Sequence, residues 1–424
     1  MHEFTLPYTQ LLDKQDKLKA YRDKFYIPYL HDKHAQYFLG NSLGLQPITT
    51  QNEVLCIMED WANFGVEGFF MGDNPWLAYH KKLTAPLSKI VGALPHEVVV
   101  MNHLTVNLHL LMISFYRPTA TRFKIICEAK AFPSDQYAMQ SQINMHGLQV
   151  ADCLIQVYPR AGSETIDHAD ILAAIALHGQ QTALVLFSGV NYFTGQVFNM
   201  QGIADAAHQV GAFAGFDLAH AAGNIPLALH EWGVDFACWC SYKYLNSGPG
   251  AIAGAFIHEK NIGNPHVKRL EGWWGNDEKN RFKMEEQFTA SPTAEAWQMS
   301  TAPIMLLAAH HAALQIFDEA GFENIVAKSK QLSSYLFFCL QQINLPTPKF
   351  TILTPEAEGE HGSQVSLSVH DNAKAIFDKL LPEGIFADWR EPNIIRVAPV
   401  PLYNSFEDVF IFAQKFKQLL NVQP

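Results

Sequence analysis

This sequence predicts an α/β fold: a large domain with a mostly parallel sheet between helices, plus a smaller α+β domain. Two observations carry that prediction. From about residue 123 to 257, apolar strand-like runs alternate with helix-like stretches, the rhythm of a parallel sheet covered on both faces. Near residue 305 the texture changes to long helical runs, then short strand candidates and more helix. The expected division is an N-terminal segment, 1–45, packing with the small domain; a large domain, 46–305; and a small C-terminal domain, 306–424.

The elements follow in order. Residues 10–25 are predicted as an amphipathic helix, with Leu11, Leu12, Leu18, Tyr21 and Phe25 near helical spacing. A helical run covers 108–115. Residues 123–127 are a strand candidate, and the continuous apolar run over 182–190 is a clearer one. A turn at Thr194-Gly195 precedes a helix over 200–210. Strands over 212–217, 234–240 and 251–257 complete the rhythm. Helix is then expected over 304–343, broken at Gly321. Strands over 350–353, 364–369 and 394–397 and helices over 372–381 and 406–420 finish the chain.

Composition bounds the function. Hydrophobic residues make up 48% and charged residues 17%, the balance of a globular protein. Thirty basic against 41 acidic residues give a net charge of −11, which leaves no surplus of Lys and Arg for phosphates, so no nucleic-acid partner is expected. No apolar run reaches the length of a membrane span, and no membrane partner is expected. Nineteen histidines are scattered without an HExxH pair, and no metal is expected. Six cysteines form no CxxC pair; Cys238 and Cys240, at strand spacing in an apolar run, read as buried thiols. A reducing compartment, the cytoplasm, fits that usage. The first 25 residues carry Glu3, Asp13 and Asp16 and no apolar core, so no signal peptide is expected.

The chemistry concentrates in Ser241-Tyr242-Lys243-Tyr244-Leu245, with an apolar strand leading in and Asn246-Ser247-Gly248-Pro249-Gly250 leading out. Upstream stands Gly215-Phe216-Asp217-Leu218-Ala219-His220. A lysine that forms a Schiff base must sit partly desolvated at a strand end. Pyridoxal phosphate (PLP) also needs an acid against its pyridine nitrogen. Lys243 and Asp217 both fall at carboxyl ends of strands, where ligands of open α/β sheets collect. Alone, each is an ordinary loop or turn former. A third element changes the balance: Thr105 stands at the start of a helical run, apt for phosphate, and Phe132 is a flat ring available for stacking. Gly248 to Gly254 is not a dinucleotide fingerprint, because its glycines precede a strand and open no helix.

These segments resemble the kynureninase family, within the aminotransferase-like (fold type I, class V) PLP enzymes. The similar stretches include Tyr37-Phe-Leu-Gly-Asn-Ser-Leu-Gly-Leu-Gln-Pro47, Glu128-Ala-Lys-Ala-Phe-Pro-Ser-Asp135, Trp232 through Asn246, and Arg396-Val-Ala-Pro-Val-Pro-Leu-Tyr403, and they span nearly the whole chain. The resemblance implies hydrolytic cleavage of L-kynurenine, and of 3-hydroxykynurenine, in the kynurenine pathway of tryptophan breakdown or NAD synthesis. It implies roles residue by residue. Lys243 attaches the cofactor and Asp217 meets its pyridine nitrogen. His220 lies on the phenolate side, with Ser188 near it. Phe132 stacks on the ring, followed by Pro133 and Ser134, and Asp135 orients it. Leu104 and Thr105 hold the phosphate, completed by Tyr242 and Trp273. Thr301 and Trp273 reach in from the neighbour of a homodimer. Arg396 clamps the substrate carboxylate, with Asn41 and Ser42 nearby, and Phe69 faces the substrate's aromatic ring. Tyr242 is the candidate proton donor. The alternative is another enzyme of the same fold, such as a transaminase or a cysteine desulfurase; the latter needs a cysteine on a mobile loop, and Cys339 reads as core.

Overall fold

The computed structural model describes residues 2–30 and 32–421; Met1 and residues 422–424, at the ends of the expected first and last segments, lie outside it. Its centre is a seven-stranded sheet. In chain order the strands are β1 (Val98–Val100), β2 (Lys124–Glu128), β3 (Leu154–Val157), β4 (Thr182–Ser188), β5 (Phe213–Asp217), β6 (Phe236–Trp239) and β7 (Gly254–Ile257), arranged β1-β7-β6-β5-β4-β2-β3. Strands β3, β2, β4, β5 and β6 run parallel, and β7 is antiparallel to both its neighbours. The mostly parallel sheet expected from the alternation is therefore present, with one reversed strand near its edge.

Period-two alternation divides each strand between two cores. Ile126, Val185, Phe187, Ala237 and Trp239 pack on one face. Ile125, Cys127, Leu184, Leu186, Phe236 and Cys238 pack on the other, against Leu108, Leu111 and Phe115 of the helix Leu104–Phe115. Gly215 is required by this packing: a Cβ there would sit 2.1 Å from the Phe236 ring.

The last third forms a four-stranded antiparallel sheet, β8 (Phe350–Ile352), β9 (Val365–Val369), β10 (Asp388–Arg390) and β11 (Ile394–Val397), in the order β8-β9-β11-β10. It shares a separate core with the helices Phe322–Gln341 and Phe406–Asn421. The long helical stretch is interrupted at Gly321, whose φ of 75° suits glycine and ends the helix Ile304–Ala320.

One expected element is different. Residues 10–25 are not one helix: an α-helix covers Leu6–Gln15 and a 3-10 helix covers Lys19–Lys24. Pro7 suits a first turn, so the helix starts earlier. Asp16 stops it by accepting the Leu18 N–H at 2.8 Å and pairing with the buried Lys328 at 2.7 Å. A buried ion pair outweighs helical spacing here. Among the described residues no helix is long and apolar enough to cross a membrane. Five cysteines are buried, Cys238, Cys240 and Cys339 among them, and Cys56 is exposed.

Candidate active site

The carboxyl ends of β2, β4, β5 and β6 converge on one pocket. They deliver Glu128, Ser188, Asp217 and, just past β6, Cys240, Tyr242 and Lys243. Leu104, Thr105, Phe132, Ser134, Asp135, Val190, Tyr192, Ala219 and His220 complete the lining. Ten of the residues singled out from the sequence are thus brought together: Leu104, Thr105, Phe132, Ser134, Asp135, Ser188, Asp217, His220, Tyr242 and Lys243.

Local structure explains each position. Beyond β6 the chain makes a tight turn in which Asn246 N–H donates to the Lys243 carbonyl at 3.0 Å and Ser247 N–H to that of Ser241 at 3.1 Å. The N-terminal segment closes over it, with Gly44 N–H donating to the Tyr242 carbonyl at 2.8 Å. Lys243 Nζ lies 3.1 Å from His220 Nε2 and 5.9 Å from the centre of the Phe132 ring. Phe132 is the N-cap of the helix Pro133–Met145, and Pro133 serves as its first residue, outside the lining. Asp135 stands in the first turn. The helix Leu104–Phe115 begins without a side-chain cap, and its first two residues line the pocket.

The ionisation states are unusual because the groups are buried. Burial lowers the His220 imidazole well below its usual range, and the charges of Lys243, Arg396 and Arg390 add to this. His220 is therefore neutral, with Nε2 in hydrogen-bond contact with Lys243 Nζ and Nδ1 buried without a partner. Burial and the charge of Asp217 raise Asp135 well above the usual carboxylate range, and its Oδ1 is also unpartnered. Asp217 is raised by burial, opposed by hydrogen bonds from Asp135 and from the Ala219 N–H, the latter at 2.7 Å. Glu128 is pushed up to about 7 by burial. Tyr242 is raised by burial and by Cys240, so its phenol stays protonated.

Other predicted residues lie further out. Arg396 is buried, as its apolar setting implies, but three of its five N–H donors are taken: Nε and Nη2 by Asp388, the former at 2.6 Å, and Nη1 by the Tyr192 carbonyl. Gln364 joins that carbonyl to Asn41, donating to Tyr192 at 2.9 Å and accepting from Asn41 Nδ2 at 2.9 Å. Asn41 Oδ1 is buried without a partner. Ser42 follows in the same turn, donating its N–H to the Leu39 carbonyl. Phe69 and Trp273 form a second, aromatic group outside the pocket. Phe69 packs edge-on to Trp76 and 6.4 Å from Trp274, while Trp273 is half exposed and contacts Trp274 and Phe282. The Met299 carbonyl accepts from Trp274, and exposed Thr301 follows two residues later.

Sequence reasoning missed Glu128, Tyr192 and Cys240 as lining residues. Glu128 left a signal, a charge ending an apolar strand just before Phe132-Pro133. Tyr192 left none, since its carbonyl meets Arg396 and its ring packs edge-on to Phe132, both distant in sequence. A larger cleft of about 1500 Å³, beside Arg160, His168 and the 354–362 loop, shares no lining residue with this pocket. Glu97, His230 and His258 also cluster. The Glu97 oxygens, however, already accept from Leu94 N–H, Glu259 N–H and His230, which ties three loops together.

Known proteins resemble this chain along nearly its full length. The chain is 52% identical over 415 residues to a kynureninase of Flavobacterium psychrophilum, covering 98% of each. It is 49% identical over 408 residues to one of Myxococcus xanthus, covering 96% of this chain and 95% of that one. The profile of the kynureninase C-terminal domain matches residues 325–416. Among solved structures, a C-DES mutant with glycine covalently linked to its PLP cofactor aligns with a TM-score of 0.77 at 18% identity, covering 92% of this chain and 97% of that one. The apo cysteine desulfurase of Thermococcus onnurineus NA1 aligns at 0.71, also at 18% identity, covering 91% and 94%. The last two likenesses show the PLP fold type I architecture.

Proposed function

The chain belongs to the kynureninase family, and from that premise we infer how its side chains divide the hydrolysis of L-kynurenine to anthranilate and L-alanine. The activity is that of a hydrolase acting on a carbon–carbon bond, and its cofactor is PLP. The observation that carries the assignment of roles is the meeting of Lys243, neutral His220 and Asp217 at the ends of adjacent strands.

The pocket fits PLP by its own polar atoms. His220 Nδ1 and Asp135 Oδ1 are buried donors or acceptors without partners, a cost of about 1–3 kcal/mol each that a ligand removes. The uncapped start of the helix Leu104–Phe115 offers N–H groups and the Thr105 hydroxyl to a phosphate. Phe132 offers a ring face. When bound, PLP supplies a carbonyl that condenses with amines and a cationic ring that takes up the electron pair of a breaking bond.

The chain's own groups do the rest. Lys243 holds the cofactor covalently and, once displaced by the substrate amine, removes the α-proton. The carboxyl of Asp217 keeps a proton on the pyridine nitrogen. Neutral His220 donates through Nδ1 without adding charge. The Tyr242 phenol, held protonated, delivers a proton to Cβ of the departing alanine. Arg396 exchanges contacts with Asp388 for the substrate carboxylate, beside Asn41 and Ser42; its fork matches a carboxylate in two places. Trp273, Thr301 and Phe69 complete the site of a neighbouring copy in a homodimer, a role supported by their lying outside the lining of the Lys243 pocket. The reduced cysteines support a cytoplasmic location. A desulfurase is disfavoured, because the exposed cysteine, Cys56, sits within the helix Thr50–Phe64 and not on a mobile loop.

The test is incubation with kynurenine, read as anthranilate fluorescence, for the wild type and for Lys243→Ala. The wild type forms anthranilate and carries a visible band reducible by borohydride. The variant loses both. A variant still reducible onto PLP moves the cofactor lysine elsewhere.

A further inference from the structure

Glu128 lines the pocket, and the roles above leave it unused. It ends β2, 1% exposed, and grips Ser188 in two places. Ser188 Oγ is 2.6 Å from Glu128 Oε1, and Ser188 N–H donates to Oε2 at 2.8 Å. Ser188 ends β4 in register with Asp217 on β5. The groups that act on Glu128 by charge are acids or their precursors, Asp217, Asp135 and the neighbouring Cys127 thiol, and Lys243 and neutral His220 line the same pocket. Burial outweighs the two hydrogen bonds from Ser188, so this carboxyl changes its protonation near neutral pH.

We propose that Glu128 is a positioning residue that sets whether Ser188 donates or accepts a hydrogen bond toward bound PLP. When Glu128 is ionised, Ser188 gives its only O–H to Oε1, and its oxygen turns lone pairs alone to the pocket. When Glu128 takes a proton from solvent, the acid O–H donates to Ser188 Oγ, and the serine O–H is free to donate into the pocket. The backbone N–H stays on Oε2 in both states, so the switch moves protons and leaves the main chain where it is. Neutral His220 across the pocket keeps its own donor throughout. Ser188 is then the part of the site whose polarity follows pH.

The inference rests on the PLP assignment above, and the experiment separates the two. The visible band of the holoenzyme is titrated from about pH 5 to 9, in the wild type, Glu128→Gln and Ser188→Ala. Infrared difference spectra of the apoproteins across the same range read the carboxylic-acid carbonyl. The wild type should show a spectral step near neutrality and a carbonyl band that disappears with it. Glu128→Gln should lose both. Ser188→Ala should lose the visible step yet keep a titrating carbonyl, because the relay is cut at its other end. Should Glu128→Gln fail to fold, the visible titration of Ser188→Ala decides alone. A band whose titration is the same in all three proteins, or a wild type with no step, overturns this role while leaving the cofactor in place. A wild type with no visible band overturns the cofactor assignment and this inference together.

Discussion

At the scale of the residue, the pocket works by holding groups away from their ordinary charge states. Burial raises Glu128, Asp135 and Asp217 and lowers His220. The two kinds of shift act on stability with opposite sign. A raised carboxyl stabilises the fold below its unfolded value and loses that contribution as pH rises through its folded value. For Glu128 the window runs from about 4.5 to about 7. His220, lowered, contributes above its unfolded value of 6.5 and loses the contribution as pH falls. The apo form of Glu128→Gln should therefore gain on the apo wild type as pH rises through that window, by up to about 1.4 kcal/mol per pH unit. Thermal melts of both proteins at several pH values check it; a constant difference would show that Glu128 is ionised throughout. Arg396 makes a second prediction. Arg396→Ala should raise KM for kynurenine about ten- to hundred-fold, the worth of a charge-assisted hydrogen bond of roughly 1.5–3 kcal/mol. It also leaves Asp388 with only its longer pair to Arg390 at 3.4 Å, so its Tm should fall. Arg396→Lys keeps a cation for Asp388 but loses the fork. Its KM should rise with Tm nearly unchanged, and an unchanged KM in both variants would make Arg396 a strut and not a clamp.

At the scale of the element, the site depends on a segment remote in sequence from its lysine. Residues 37–45 cross above the Lys243 turn, and Gly44 touches it so closely that a Cβ would lie 2.3 Å from the Lys243 carbonyl and from Asn246 Oδ1. Below, the Ser247 hydroxyl meets His310 of the helix Ile304–Ala320. Gly44→Ala should cost about 1–3 kcal/mol, the usual toll of overpacking, and loosen the cofactor. A denaturant melt and the retained visible band measure the two effects, and a stable variant with full cofactor would show that the turn needs no cover. Gly44 also marks the limit of legibility. Lys243 and Asp217 could be read because a charge at the end of an apolar strand stands out. The strand–helix alternation and the change of texture near residue 305 followed from patterns of two and of three to four residues, but the order of the strands and the antiparallel pairing of the small sheet did not, because pairing joins segments far apart in sequence. Tyr192 could not be read, because its carbonyl and its ring meet Arg396 and Phe132, residues far from it in sequence. The split of the first helix at Asp16 could not be read either, because its cause, Lys328, lies more than three hundred residues away. Contacts across such distances leave no local periodicity.

At the scale of the whole molecule, the residues proposed for the site fall into two groups, of which one lines the Lys243 pocket and the other does not. Lys243 and its neighbours share one pocket. Phe69 and Trp273 pack on Trp274 outside that pocket, with Phe70, Trp273 and Phe282 about half exposed, and exposed Thr301 stands two residues past Met299, whose carbonyl accepts from Trp274. In the homodimer proposed above, twofold symmetry would set each aromatic group over the partner's lysine pocket. Phe69 would then meet the substrate ring with a flat apolar face. A ring hydroxyl buried there without a partner costs about 1–3 kcal/mol, which Thr301 could offset in part. Kynurenine should accordingly be preferred over 3-hydroxykynurenine, about ten-fold in kcat/KM if 1.4 kcal/mol of discrimination survives. Steady-state kinetics on both substrates decide that point, and a preference for the hydroxylated substrate would remove Phe69 from the ring contact. The shared site itself is tested by complementation. Lys243→Ala lacks the lysine but keeps Trp273, and Trp273→Ala has the reverse defect. Mixed in equal amounts and allowed to exchange, half of the dimers become hybrids, each with one site built from two intact halves. Activity should return to about a quarter of the wild-type value. Hybrids that form, as seen by tagged copies, yet stay inactive would show that each chain builds its site alone.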